Sequence, residues 1–169
     1  MKGLILDLRG NPGGFMKECV DLVSNFVPKD KVIVSTIDKY GNKEESVSKG
    51  GIAQGMPLVV LIDGGTASAS EIVAGAIRDY DLGTLVGTTS FGKGIVQVVL
   101  DKIGQEKDGT ALKVTISKYY TPNGENIHKK GIGPDVTVEY PKELKEKTYS
   151  RSTDPQFEKA LEIIQEKIK

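Results

Sequence analysis

Tryptophan is absent from this chain of 169 residues, and cysteine and histidine occur once each, as Cys19 and His128. A single cysteine excludes an intrachain disulfide and a cysteine metal cluster. A single histidine with no carboxylate at ligand spacing cannot build a zinc site. Net charge is also missing, because 23 basic residues balance 23 acidic ones. That balance argues against a partner recruited by field alone, so no nucleic acid and no anionic membrane surface is expected. No apolar run approaches the ~20 residues of a membrane-spanning helix. No cofactor is expected.

What remains is the composition of a soluble globular protein, 38% hydrophobic and 27% charged, at one domain's length. Cys19 reads as a small buried apolar residue on a helix. His128 reads as a surface residue in a polar loop.

The pattern is α/β. Residues 4–8 form a short apolar strand that ends in Arg9-Gly10-Asn11-Pro12-Gly13-Gly14, a turn or nest. Residues 15–26 have helical apolar spacing, and Pro28 ends the helix. Residues 31–38 and 44–48 are strands around a turn at 40–43. Residues 57–63 carry a continuous apolar run, Leu58-Val59-Val60-Leu61-Ile62, which implies burial on both faces as in a parallel sheet. A helix follows over 68–80, then strands at 85–86 and 95–100. Residues 111–120 alternate Leu112, Val114 and Ile116 against Lys113, Thr115 and Ser117, which fits a half-buried strand. A turn at 122–124 and a short strand at 136–138 follow. Residues 142–153 read as a polar linker or exposed arm. Residues 157–168 form an amphipathic helix with Asp154 as cap and Pro155 at its first position. The apolar strand begins directly after Met1-Lys2-Gly3, so the chain is expected to be a piece of a longer protein from which any export signal has been removed.

The residues with chemical interest cluster in two glycine-rich stretches. Gly64-Gly65-Thr66-Ala67-Ser68-Ala69-Ser70-Glu71 places a serine where a buried strand turns into a helix. Such a turn lifts a hydroxyl out of the core, and the unpaired N–H of Ala69 in the first helical turn suits a developing oxyanion. Ser68-x-x-Glu71 is also a capping box, so Ser68 could simply cap the helix. Ser70 is a competing hydroxyl and Thr66 a third.

The second stretch, Phe91-Gly92-Lys93-Gly94, holds a lysine 25 residues after Ser68. A serine nucleophile needs a base within hydrogen-bond reach. A lysine can serve if burial favours its neutral amine, whereas an arginine does not lose its proton. Lys93 is otherwise a solvated loop charge. Gln97 lies four residues on, on the same strand face, where its amide could orient the amine or simply face solvent. Gly13-Gly14 could supply a second oxyanion donor or form a plain turn.

Five blocks together resemble the carboxyl-terminal processing peptidases, or tail-specific proteases. They are Leu6-Asp7-Leu8-Arg9-Gly10-Asn11-Pro12-Gly13-Gly14; Gly65-Thr66-Ala67-Ser68-Ala69-Ser70-Glu71-Ile72; Phe91-Gly92-Lys93-Gly94 with Gln97; Tyr120-Thr121-Pro122-Asn123-Gly124; and Gly131-Ile132-Gly133-Pro134-Asp135. The resemblance implies a serine endopeptidase that cleaves near protein C-termini through a Ser–Lys dyad. Ser68 would be the nucleophile, Lys93 the base and Gln97 its orienter. The N–H groups of Ala69 and Gly14, the latter preferred to Gly13, would form the oxyanion hole.

The fold implied is the Clp-protease/crotonase type, a spiral of β-β-α units truncated at its N-terminal side. Residues 1–140 would be the C-terminal part of the catalytic core, and 141–169 a linker and amphipathic helix. The PDZ domain usual in such proteases is not in this chain, so weak or absent activity is expected of it. The alternative is a non-catalytic module for peptides or apolar ligands on the same fold. The expected partners are protein or peptide C-termini, together with self-association of the truncated core. The expected location of the parent protein is outside the cytoplasm.

Overall fold

The computed structural model describes residues 1–101, 110–146 and 148–169. In chain order its elements are β1 (Leu4–Asp7), α1 (Met16–Ser24), β2 (Val32–Asp38), β3 (Lys43–Val47), β4 (Leu58–Ile62), α2 (Ala69–Asp79), β5 (Thr84–Gly87), β6 (Ile95–Leu100), β7 (Leu112–Tyr120) and β8 (Val136–Thr137). A single helical turn, α3 (Lys142–Lys145), a 3-10 turn at Arg151–Thr153 and α4 (Pro155–Lys167) complete the chain. Among the described residues no helix is long and apolar enough to cross a membrane.

β4 organises the core. All five of its residues are buried, and it pairs in parallel with β1 on one side and β5 on the other. β8 extends this sheet to the order β1-β4-β5-β8. Alternate residues of a strand face opposite sides. Accordingly Leu58, Val60 and Ile62 pack with α1 and α2 through Val23, Ile72 and Ile77. Val59 and Leu61 pack with Val86 and with Ala160 and Ile164 of α4. A strand buried on both faces must be apolar throughout, as this one is. The second sheet is antiparallel, in the order β3-β2-β7-β6, with β6 at one edge paired to β7.

α4 is fixed at its start. The Asp154 carboxylate accepts the N–H groups of Gln156 and Phe157, each at 3.0 Å, and Pro155 opens the helix. Arg9, just beyond β1, pairs with Asp154 at 2.8 Å and with Asp7 at 2.6 Å, and donates to Gln156 Oε1 at 2.8 Å. Burial alone would raise the Asp154 carboxyl. The Arg9 guanidinium and the Phe157 N–H outweigh burial and hold it below the usual carboxylate range. A depressed folded value means stability that is present above the ordinary carboxyl pKa of ~3.9 and is lost as pH falls through the folded value. Urea unfolding measured between about pH 6 and 2 should show stability dropping below about pH 4. Arg9→Met should flatten that drop; an unchanged slope would contradict this account of the cap.

Three sequence expectations are corrected. The helix expected at 15–26 begins at Met16 and leaves Phe15 82% exposed. The apolar face of β7 is not covered among the described residues: Leu112 and Ile116 are exposed, as is Leu100 across from Leu112 on β6; Val99, across from Lys113, is also exposed. Alternation identifies an apolar face but not what lies against it. The strand face expected to hold both Lys93 and Gln97 is interrupted, because β6 begins at Ile95 and its register shifts between Val96 and Gln97. The polar stretch 142–153 contains α3 and the 3-10 turn, with residue 147 outside the described residues.

Candidate active site

The loops that leave β1 and β4 are stapled side by side. Asp63 Oδ1 accepts the N–H groups of Gly10 and Gly65, each at 2.9 Å. The Thr66 hydroxyl donates to the Leu8 carbonyl at 2.8 Å, which commits it to structure rather than chemistry. Ser68 then turns the chain into α2 with φ 56° and ψ −119°. A positive φ at a residue with a Cβ is strained and persists only where the surroundings enforce it.

The first turn of α2 closes on the Ser68 carbonyl, which accepts the Glu71 N–H at 2.9 Å. Ser68 and Glu71 face one another as a capping box, and the Glu71 carboxylate accepts the Ser68 N–H at 2.8 Å. The Ser68 side chain faces the Glu71 N–H across this box, while that N–H has its short bond to the Ser68 carbonyl. The Ser68 carbonyl and the Glu71 carboxylate carry bonds of the cap, so the hydroxyl is not its sole acceptor, and Ser68 also lines a cavity.

Gly13 touches this turn. It has φ 97°, and a Cβ there would lie 2.7 Å from the Ala67 carbonyl oxygen and 2.9 Å from the Ser68 Cβ. Only glycine allows so close an approach. The Gly13 N–H is already used, donating to Asn11 Oδ1 at 2.9 Å. The N–H groups of Gly14 and Ala69 have no partner among the described residues. Two unpaired donors thus flank Ser68, and they belong to Gly14 and Ala69 rather than Gly13.

Lys93 is held by its neighbours. A Cβ at Gly92, where φ is 87°, would meet the Gly131 N at 2.8 Å, and one at Gly94 would meet the His128 N at 2.6 Å. The 128–131 segment is thus pressed against the lysine loop, and Lys129 donates its N–H to the Gly92 carbonyl at 2.7 Å. His128 is consequently half-buried, not the surface residue expected, and its Nδ1 is buried without a hydrogen-bond partner among the described residues.

Gly14, Ser68, Ala69, Lys93 and Gln97 all line one cavity of about 330 Å³, together with Phe15, Ile95, Lys113 and Tyr119. Ser68 and Lys93 both line this cavity, and among the described residues no hydrogen bond joins their side chains. Gln97 is on the cavity face, but its amide donates to Thr115 Oγ1 at 3.2 Å rather than contacting the lysine. A larger cavity of about 720 Å³ opens by Arg9, Asp63 and Tyr140 and contains none of the five. The serine and lysine singled out by the sequence line the smaller cavity, which makes it the candidate site. Ser70 is buried. Burial pushes the Cys19 thiol up to about 12, which removes it as a thiolate nucleophile near neutral pH.

Sequence reasoning gave Glu71 only a capping role. It is fully buried, and its second oxygen accepts the Ser90 hydroxyl at 2.6 Å and the Gly92 N–H at 2.7 Å. Oε2, which takes the Ser68 N–H, also takes that of Lys93 at 2.9 Å. One carboxylate thus joins the serine turn to the lysine loop. The available signal was a charged residue in the most apolar helix of the chain, where a buried acid must find donors.

A hydroxyl raised on a strained strand-to-helix turn beside unpaired amides is the equipment of a serine hydrolase acting on acyl groups. Sequence comparison agrees and narrows the class. The chain belongs to peptidase family S41, whose family model matches residues 1–138, and within it to the carboxyl-terminal processing serine proteases. It is 41% identical over 162 residues to the carboxyl-terminal-processing protease of Synechocystis sp., covering 96% of this chain and 36% of that one. It is 44% identical over 140 residues to the carboxy-terminal processing protease CtpA of Bacillus subtilis, covering 83% and 29%. Among solved structures it is similar to the photosystem II D1 C-terminal processing protease, with a TM-score of 0.73 and 38% identity over 82% of this chain and 35% of that one. The chain spans about a third of the length of the relatives it matches.

Proposed function

We propose that this chain carries the reacting groups of a serine endopeptidase that cuts proteins near their C-termini. Ser68 Oγ attacks the scissile carbonyl while the Lys93 amine takes its proton. The oxyanion forms between the N–H groups of Gly14 and Ala69. Lys93 returns the proton to the departing amine, and a water activated by the same lysine hydrolyses the acyl-enzyme. Gln97 orients the lysine once substrate displaces its contact with Thr115. The observation that carries this reading is the convergence of a strained serine, a lysine and two unpaired amides on one cavity.

Hydrolysis of a peptide ending in apolar residues tests the proposal. Turnover should vanish in Ser68→Ala and survive in Ser70→Ala. Turnover by Ser68→Ala would refute it, and binding without turnover by the full-length protein would favour the non-catalytic module instead; this chain alone is expected to turn over weakly or not at all.

We also read the wider fold as the crotonase-type spiral, because the chain alternates between strands of the parallel sheet and hairpins of the antiparallel one. By family resemblance the whole protein works outside the cytoplasm; recovery of the full-length protein in a cytosolic fraction would contradict this. The exposed Val99, Leu100, Leu112 and Ile116 support self-association, which a monodisperse monomer in light scattering would rule out.

A further inference from the structure

Ser68 and Lys93 lie 25 residues apart on different elements, yet their backbones are registered by two buried side chains that are neither nucleophile nor base. On the N–H side, Glu71 Oε2 accepts from both residues. On the carbonyl side, the Tyr119 hydroxyl faces both oxygens. It donates to the Ser68 carbonyl at 3.1 Å and, in a shorter bond, to the Lys93 carbonyl.

Tyr119 is 3% exposed and sits near the end of β7, opposite Thr36 of β2. Its own N–H donates to the Gly94 carbonyl at 3.2 Å. A phenol has one proton to give, here shared between two carbonyls. Burial, with the Glu71 charge nearby, raises the Tyr119 hydroxyl far above its ordinary range, so that proton is retained. The lysine is flanked by two glycines, which give its loop freedom unless something else removes it. A tie on the N–H side alone leaves the peptide planes free to swing about that point, and the second tie removes this motion.

Resting on the reading of Ser68 and Lys93 as the reacting pair, we propose that Tyr119 is a positioning residue that fixes the spacing of the two backbones and hence the approach of hydroxyl to amine. Tyr119→Phe removes one oxygen and keeps the ring packed. It should lower kcat about 10–100-fold, the scale of a small misplacement at a reacting centre. KM should stay within about threefold, because the variant keeps the cavity wall. In hydrogen exchange the Ser68 and Lys93 amides should both exchange faster, while amides of β4 keep their protection. Unchanged kcat with unchanged exchange at those two amides would overturn the proposal. A kcat loss accompanied by a uniform rise in exchange across the core would also overturn it, because the hydroxyl would then be merely structural. The exchange arm requires no turnover. A full-length protein without activity would count against the proteolytic reading, while the two amides of this chain would still decide the clamp.

Discussion

Glu71→Gln is expected to lower the thermal midpoint by roughly 10–15 °C, although it changes no volume and exposes no surface. The carboxylate accepts four donors, two on each oxygen: the Ser68 and Lys93 N–H groups on one, the Ser90 hydroxyl and Gly92 N–H on the other. An amide offers one acceptor oxygen, and its NH₂ must face the other two donors. Each buried donor left unmatched costs ~1–3 kcal/mol. Two of them cost about 3–5 kcal/mol, and in a domain of this size each kcal/mol moves the midpoint by roughly 2–4 °C. Ser90 is coupled to the same loss, because its hydroxyl oxygen also accepts the Ile132 N–H at 2.7 Å. Circular dichroism melts of the two proteins measure the effect. A midpoint within about 2 °C of the parent would mean that the carboxylate is not the shared anchor of the two loops.

Ser68→Gly should separate activity from stability in the opposite direction. The native φ of 56° is strained for serine and ordinary for glycine. Relief of that strain, about 1–3 kcal/mol, exceeds the extra unfolded-state entropy of glycine, about 0.5–1 kcal/mol. The variant should be at least as stable as the parent and should lose peptide hydrolysis by about 10³-fold or more, as expected when a nucleophile is removed. Lys93→Arg should lose activity on the same scale although it keeps a long nitrogen-bearing side chain, because a guanidinium does not give up its proton to act as base. Urea midpoints and initial rates on one peptide provide both readouts. A less stable Ser68→Gly would show that the serine side chain holds the turn together. An active Lys93→Arg would remove the lysine from the mechanism.

The parts of this site that sequence reveals are those built locally. Ser68 can be read from a buried strand, two glycines and a helix start, all within about ten residues. Asp154 and Pro155 announce α4 because a cap is a contact between near neighbours. Lys93 and Gln97 both line the cavity, but Lys93 lies in the loop before β6 and the strand's register shifts between Val96 and Gln97, so simple alternation does not account for their meeting.

The contacts that escape such reading are long in sequence. Glu71 reaches Ser90, Gly92 and Lys93 across 19 to 22 residues, and Tyr119 reaches Ser68 across 51. Arg9 finds Asp154 at the far end of the chain. Nothing in the neighbourhood of a tyrosine on an alternating strand states which carbonyl its hydroxyl will meet. The resemblance preferred Gly14 to Gly13, and what only coordinates add is that the Asn11 side chain accepts the Gly13 N–H. The exposed Leu112 and Ile116 were misread for a related reason: a pattern gives the face, and only packing gives its cover.

The most direct test is covalent labelling with a serine-directed organophosphonate, read by peptide mass spectrometry. An adduct should form on Ser68 in the unsubstituted chain and fail to form in Lys93→Met, because the hydroxyl reacts only with a base beside it. An adduct on Ser70, or labelling of Ser68 at the same rate without the lysine, would contradict the pairing of this hydroxyl with this amine.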